Sequence, residues 1–146
     1  MKKVAVMIAD GTEEIEALTV VDVMRRPNIK SVNGREIKSS HNIEILADKV
    51  IDESIKDYDM IVLPGGLPGA YNLAEDKLLI ETLRELSKDS NKYIGAICAS
   101  PAIVLSKANI EEGKNIDILN SGENTYKWLV KPLLIIFKNR HPYIYW

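Results

Sequence analysis

The feature that most constrains this chain is a set of short, unbroken apolar runs separated by amphipathic stretches. Lys3-Val4-Ala5-Val6-Met7-Ile8-Ala9, Asp59-Met60-Ile61-Val62-Leu63 and Tyr93-Ile94-Gly95-Ala96-Ile97 show no apolar–polar alternation. A strand with one wet face has a period of two. An unbroken run predicts a strand buried on both faces, as in a parallel sheet. Helical patterns lie between the runs. From Glu13 to about Arg26, Ala17, Val20, Val21 and Met24 recur at helical spacing, and Pro27 ends the pattern. Asp10 followed by Glu13 reads as a capping box. Over 76–87, Leu79, Ile80, Leu83 and Leu86 turn inward, and 70–74 reads as one helical turn. Segments 35–39 and 42–47 read as a hairpin at the sheet edge, and 115–119 as a last strand. This order predicts an α/β fold with a mostly parallel sheet, right-handed crossovers and helices on both faces.

At 146 residues the chain is expected to form one domain over 1–146. Its net charge of -2 offers no electrostatic footprint for nucleic acid or an anionic membrane, so neither is expected as a partner. No apolar run approaches the roughly 20 residues of a membrane-spanning helix. A single cysteine cannot form an internal disulfide, which makes a cytoplasmic location the default expectation.

That cysteine, Cys98, stands where the third apolar run ends. Ala99-Ser100-Pro101-Ala102-Ile103-Val104-Leu105 follows and reads as a helix with proline in its first turn. Backbone N–H groups at a helix start favour a thiolate, so a lowered pKa is expected for Cys98. The bland alternative is a small buried hydrophobe. Glu16 shares a helix side with Thr19, Val20 and Val23, beside the apolar stripe. Partial burial there predicts a raised pKa and suits it to proton transfer next to a thiol; a surface glutamate is the other reading. Glu13 and Glu14 read as surface carboxylates favoured by the helix dipole. In open parallel sheets, sites form at the carboxyl ends of strands. There Gly65, Gly66 and the backbone of Ala99 are candidate N–H donors to an oxyanion. Pro64-Gly65-Gly66-Leu67-Pro68-Gly69 lacks the spacing of a dinucleotide fingerprint. His41 lies in the expected hairpin and His141 in the tail. Neither has a local partner at metal-ligand spacing, so no metal site is expected. Arg26 ends the first helix, and with His41 it is a possible substrate or dimer-edge contact.

Several stretches together resemble the ThiJ/PfpI superfamily, in particular its branch that includes the Parkinson-disease-associated protein. They are Ala9-Asp10-Gly11-Thr12-Glu13-Glu14-Ile15-Glu16, Val21-Asp22-Val23-Met24-Arg25-Arg26, Val62-Leu63-Pro64-Gly65-Gly66, Ala70-Tyr71-Asn72-Leu73 and Ala96-Ile97-Cys98-Ala99-Ser100-Pro101. The resemblance covers about 1–113. It implies a flavodoxin-like three-layer sandwich, usually a homodimer, with a reactive Cys98 on a strained turn and Glu16 as its partner. It further implies a cofactor-independent enzyme acting on small reactive aldehydes or glycated substrates, of glyoxalase or deglycase type. An oxidative-stress sensor or chaperone working through oxidation of Cys98, or a degenerate inactive member, are the alternatives. Ala99 stands where the peptidase-like branch usually carries histidine, which argues against a peptidase. The second strand, near 27–32, looks shortened. The tail over 114–146 diverges, with Leu119 near the place where relatives often carry histidine, so the C-terminal part is expected to be atypical or truncated.

Overall fold

The computed structural model describes residues 2–24, 27–110, 134–138 and 141–145. The chain runs through β1 (Val4–Ile8), α1 (Glu14–Val23), β2 (Asn28–Ser31), β3 (Glu36–Lys38), β4 (Glu44–Leu46) and β5 (Lys49–Val50). A 3-10 turn, Glu53–Asp57, leads into β6 (Met60–Leu63), α2 (Gly69–Glu75), α3 (Lys77–Leu86) and β7 (Tyr93–Ile97). After Cys98 the chain is π-wound over Pro101–Leu105 and α-helical over Ser106–Ala108. Two further strands, β8 (Leu134–Lys138) and β9 (His141–Tyr145), lie beyond.

The main sheet has the order β5-β2-β1-β6-β7-β8-β9. From β5 to β7 every pairing is parallel, with Val4 opposite Met60 and Met60 opposite Tyr93. The three apolar runs are therefore its central strands, and their side chains alternate between two cores. Ala5, Met7, Ile61, Leu63, Ile94 and Ala96 meet α2 and α3 on one face. Val6, Ile8, Met60, Val62 and Ile97 meet Ala17 of α1, and Ile37 and Ile45 of the hairpin, on the other. Layers on both faces satisfy a parallel sheet that has no face to show to water. In α3, Asp76 caps the first turn by accepting from Leu79 N–H at 2.7 Å. Leu79, Ile80, Leu83 and Leu86 are all buried as their spacing predicts. Truncating one such leucine to alanine typically costs about 2–5 kcal/mol.

Several expectations are corrected. The β3–β4 hairpin forms its own two-stranded sheet and is not an edge of the main one. Ile37 and Ile45 explain this, because they turn into the second core. The second strand, expected to be shortened, spans Asn28–Ser31 and pairs with Ala5 to Ile8. Its weak apolar signal reflects Lys30, whose fully buried side chain brings Nζ 3.2 Å from Asp52 Oδ1 and 5.4 Å from the Tyr58 ring centroid. The capping box does not form: Asp10 Oδ1 accepts instead from Lys38 N–H at 2.8 Å, and Glu13 occupies the cap position without a side-chain bond to the helix. Met24 is exposed, past the end of α1. Beyond β7 the sheet turns antiparallel, with β8 antiparallel to β7 and β9 antiparallel to β8. The strand expected at 115–119, Leu119, Arg25 and Arg26 lie outside the described residues.

Candidate active site

The ends of β1, β6 and β7 converge. After β7 the chain turns at once, and Cys98 takes a left-handed conformation with φ 57. For a residue with a Cβ this typically costs about 1–2 kcal/mol, a strain such as functional sites retain. The turn is braced from within: Ser100, fully buried, donates its hydroxyl to Pro64 O at 2.5 Å. That bond ties the Cys98 turn to the loop after β6.

Glu16 reaches the same point from α1. Its Oε2 accepts the N–H of Gly65 at 2.7 Å, and the Cys98 thiol donates to the same carboxylate. Gly65 is thus held on both sides, since its own carbonyl accepts from Glu13 N–H at 3.0 Å. The N–H groups of Gly66 and Ala99 point at the sulfur. Close approach explains the glycines. A Cβ on Gly65 would lie 2.6 Å from Cys98 Cβ and 2.9 Å from Glu16 Oε2. One on Gly66, whose φ is 91, would lie 2.4 Å from both Glu13 N and Gly11 O.

The electrostatics correct one expectation and agree with another. Burial, and then the nearby charge of Glu13, push the Glu16 carboxyl up, against the bond from Gly65 N–H and the thiol bond, which pull it down. The expected preformed thiolate is not found. Burial and then the negative charge of Glu16 push Cys98 up to about 11, although Gly66 and Ala99 N–H pull it down. Backbone donors at a helix start are visible in the sequence; the burial of the sulfur and the charge of the carboxylate beside it are not. Burial is the larger cause in both groups, since it penalises the charged form of each, and a neighbouring carboxylate adds to it: Glu13 for Glu16, and Glu16 for Cys98. At neutral pH the sulfur therefore keeps its proton, beside the Glu16 carboxyl.

Gly65, expected as an oxyanion donor, has its N–H engaged by Glu16. His41 sits in the turn between β3 and β4, with Nδ1 2.8 Å from Glu14 Oε1 and 3.6 Å from Glu13 Oε1. Glu14 is a correction too: it is buried, not a surface carboxylate. Burial raises its pKa, but its own backbone N–H, Ser39 and His41 outweigh that and hold it below the ordinary value. Ser40 Oγ completes the cluster by donating to Glu13 Oε2 at 2.8 Å. Spacing arguments missed this group because His41 and Glu14 are 27 positions apart. Glu13, Glu14 and His41 are the one set of potential metal-ligating side chains gathered among the described residues, within 4.8 Å. They lie at the positive end of α1, which opposes a cation.

Comparison with known proteins gives a consistent picture. The family model described as DJ-1/PfpI matches residues 2–121. The chain is 42% identical over 118 residues to Protein DJ-1 homolog B of Arabidopsis thaliana, covering 77% of this chain and 27% of that protein. It is 34% identical over 112 residues to the Glutathione-independent glyoxalase DJ-1 of Schizosaccharomyces pombe, covering 68% of this chain and 59% of that protein. Among solved structures, oxidized Toxoplasma gondii DJ-1 superposes with a TM-score of 0.72 at 34% identity, covering 77% of this chain and 64% of that one. The chain thus spans less than two thirds of the length of these relatives.

Proposed function

The chain belongs to the DJ-1/PfpI family, and on that premise we propose that it is a cysteine-dependent enzyme converting reactive 2-oxoaldehydes such as methylglyoxal into 2-hydroxy acids. One observation carries the reading: a single carboxylate, Glu16, bonds both the Gly65 N–H and the Cys98 thiol. A thiol held near 11 is a poor nucleophile by itself, but its proton already points at a base. Sulfur attacks the aldehyde carbon as its proton passes to Glu16, and Gly66 and Ala99 N–H steady the alkoxide. Glu16 returns that proton to the alkoxide, then removes the proton from the former aldehyde carbon; the hydroxyl proton passes to the neighbouring oxygen through the enediol, and Glu16 delivers the carbon-bound proton to the neighbouring carbon. A thioester results, and water hydrolyses it to lactate and frees the thiol. The aldehyde carbon is oxidised while its neighbour is reduced, so the step needs no external electron acceptor. Glycated amines of the same carbonyls are the related substrate class. The test is lactate formation from methylglyoxal without glutathione. Cys98→Ser should abolish it, and full activity in that variant would refute the scheme.

A second reading, oxidation of Cys98 in a sensor role, is favoured by the oxidized state of the Toxoplasma gondii relative. Sulfinate oxygens would find the Gly66 and Ala99 donors in place. The raised thiol weighs against it, because oxidation follows thiolate content. Stoichiometric oxidation of Cys98 by mild peroxide, read by mass spectrometry, together with no dicarbonyl turnover, would select this reading. We infer a homodimer as the working unit, since Ile15 and Leu18 share one side of α1 and remain 64% and 41% exposed; analytical ultracentrifugation tests it. Among the described residues no helix is long and apolar enough to cross a membrane.

A further inference from the structure

The β3–β4 turn grips the start of α1 more firmly than a surface hairpin needs to. Gly11 N–H donates to Lys38 O at 2.7 Å, Lys38 N–H to Asp10 Oδ1 at 2.8 Å and Ser40 N–H to Thr12 O at 2.9 Å. Side chains add to the backbone. Ser40 Oγ donates to Glu13, and His41 Nδ1 meets the buried Glu14 carboxylate. Every one of these bonds lands on residues 10–14, and Glu16 follows them on the same helical turn. Glu13 N–H also holds Gly65 O, while Glu16 holds Gly65 N–H. The turn, the helix start and the loop after β6 are therefore locked in series, with the carboxylate facing Cys98 at the end of the line.

We propose that this turn is a clamp on the first turn of α1, and that His41 is a positioning residue that keeps Glu16 on Cys98 by anchoring Glu14. His41 itself need not touch substrate. Its 2.8 Å bond to Glu14 joins those from Ser39 and Ser40 on the same buried carboxylate, and together they fix the rotation of α1 about its own axis. Rotation is what aims Glu16, because a side chain two residues further on stands about 200° round the same rigid helix, so turning α1 swings Glu14 and Glu16 together. The charged groups around the pair are Asp10, Glu13, Glu14 and His41, and only Glu13 acts on Glu16 through its charge.

The inference rests on Cys98 and Glu16 working as a pair, but its test needs no turnover, so lack of glyoxalase activity does not decide it. The probe is iodoacetamide, with the rate of Cys98 alkylation followed against pH. Removing the negative charge in Glu16→Gln should speed alkylation, since that charge holds the thiol up. His41→Ala should shift the profile in the same direction by less, about fivefold in rate, the effect of losing one hydrogen bond. His41→Gln, whose amide can still donate to Glu14, should return to within about twofold of the wild type. In the Glu16→Gln background His41→Ala should have no further effect. A His41→Ala profile that coincides with the wild type overturns the proposal, as does an equal shift in the double variant. Should His41→Ala fail to fold, Ser40→Ala removes a single hydroxyl from the same clamp and is judged by the same outcomes.

Discussion

Gly65→Ala is the most direct perturbation of the proposed pair, since it puts one methyl between its members. Gly65 is not among the glycines with positive φ, so alanine meets no backbone penalty there. The cost is steric. The new carbon would stand 2.6 Å from Cys98 Cβ, 2.9 Å from Glu16 Oε2 and 3.0 Å from Ala99 N, where ordinary contact begins at 3.4 Å. Two of those neighbours are the reacting groups, so one of them must retreat by about 1 Å. Overpacking of this kind costs about 1–3 kcal/mol. With an unfolding entropy of about 2.1 cal/mol/K per residue, that lowers the melting temperature by about 3–10 °C. The chemical cost is larger, since misplacing reacting groups by about 1 Å can cost ~10²-fold in rate. Calorimetry and lactate formation from methylglyoxal read the two effects. Gly34→Ala is the control. Nothing lies within 4 Å of its added carbon, and with φ +79 it should lose about 1–2 kcal/mol of stability from backbone strain alone, with activity intact. Wild-type turnover in folded Gly65→Ala would refute the claim that the two groups must touch.

Three further outcomes are expected. Because folding raises the Glu16 pKa, the stability tied to its proton is complete below the unfolded value and is lost as pH rises through the folded value. Glu16→Gln should therefore melt higher than wild type at neutral pH, with the two converging near about pH 4, while lactate formation falls. Cys98→Gly should be about 1 kcal/mol more stable than Cys98→Ala, because glycine accepts φ 57 without strain; chemical denaturation of both variants compares them directly. Thr82 Oγ1 is the one buried side-chain polar atom without a hydrogen bond among the described residues, so Thr82→Val should raise stability by about 1–2 kcal/mol in the same assay.

What could be read from the sequence was set by how local the physics is. Unbroken apolar runs reported burial on both faces, so β1, β6 and β7 and their parallel pairing were legible. The spacing of Leu79, Ile80, Leu83 and Leu86 likewise gave α3. β2 was obscured because its central residue is a lysine, which becomes burial-compatible only once Asp52 and Ser54 come round to meet it. The hairpin was recognised but misplaced, since nothing local tells an edge strand from a flap laid over a helix. In the site, Cys98 was marked by its place at the end of a strand and Glu16 by its place beside the apolar stripe of α1. Two things stayed hidden. The upward push on the thiol comes from burial and then from a carboxylate, both supplied only by folding, and the anchoring of Glu14 depends on a histidine far along the chain.

The way the site is assembled has a consequence for the chain as it is being made. Glu16 and Gly65 are 49 positions apart, and the sulfur joins them only when β7 docks on β6, itself already docked on β1. Each docking closes a long loop before any reward is collected, which makes it a late event. Until then the thiol has neither its carboxylate nor its backbone donors and behaves like that of a free cysteine. Its titration curve therefore serves as a built-in certificate of completion: a nascent, nicked or misregistered chain carries the same atom but fails the inspection.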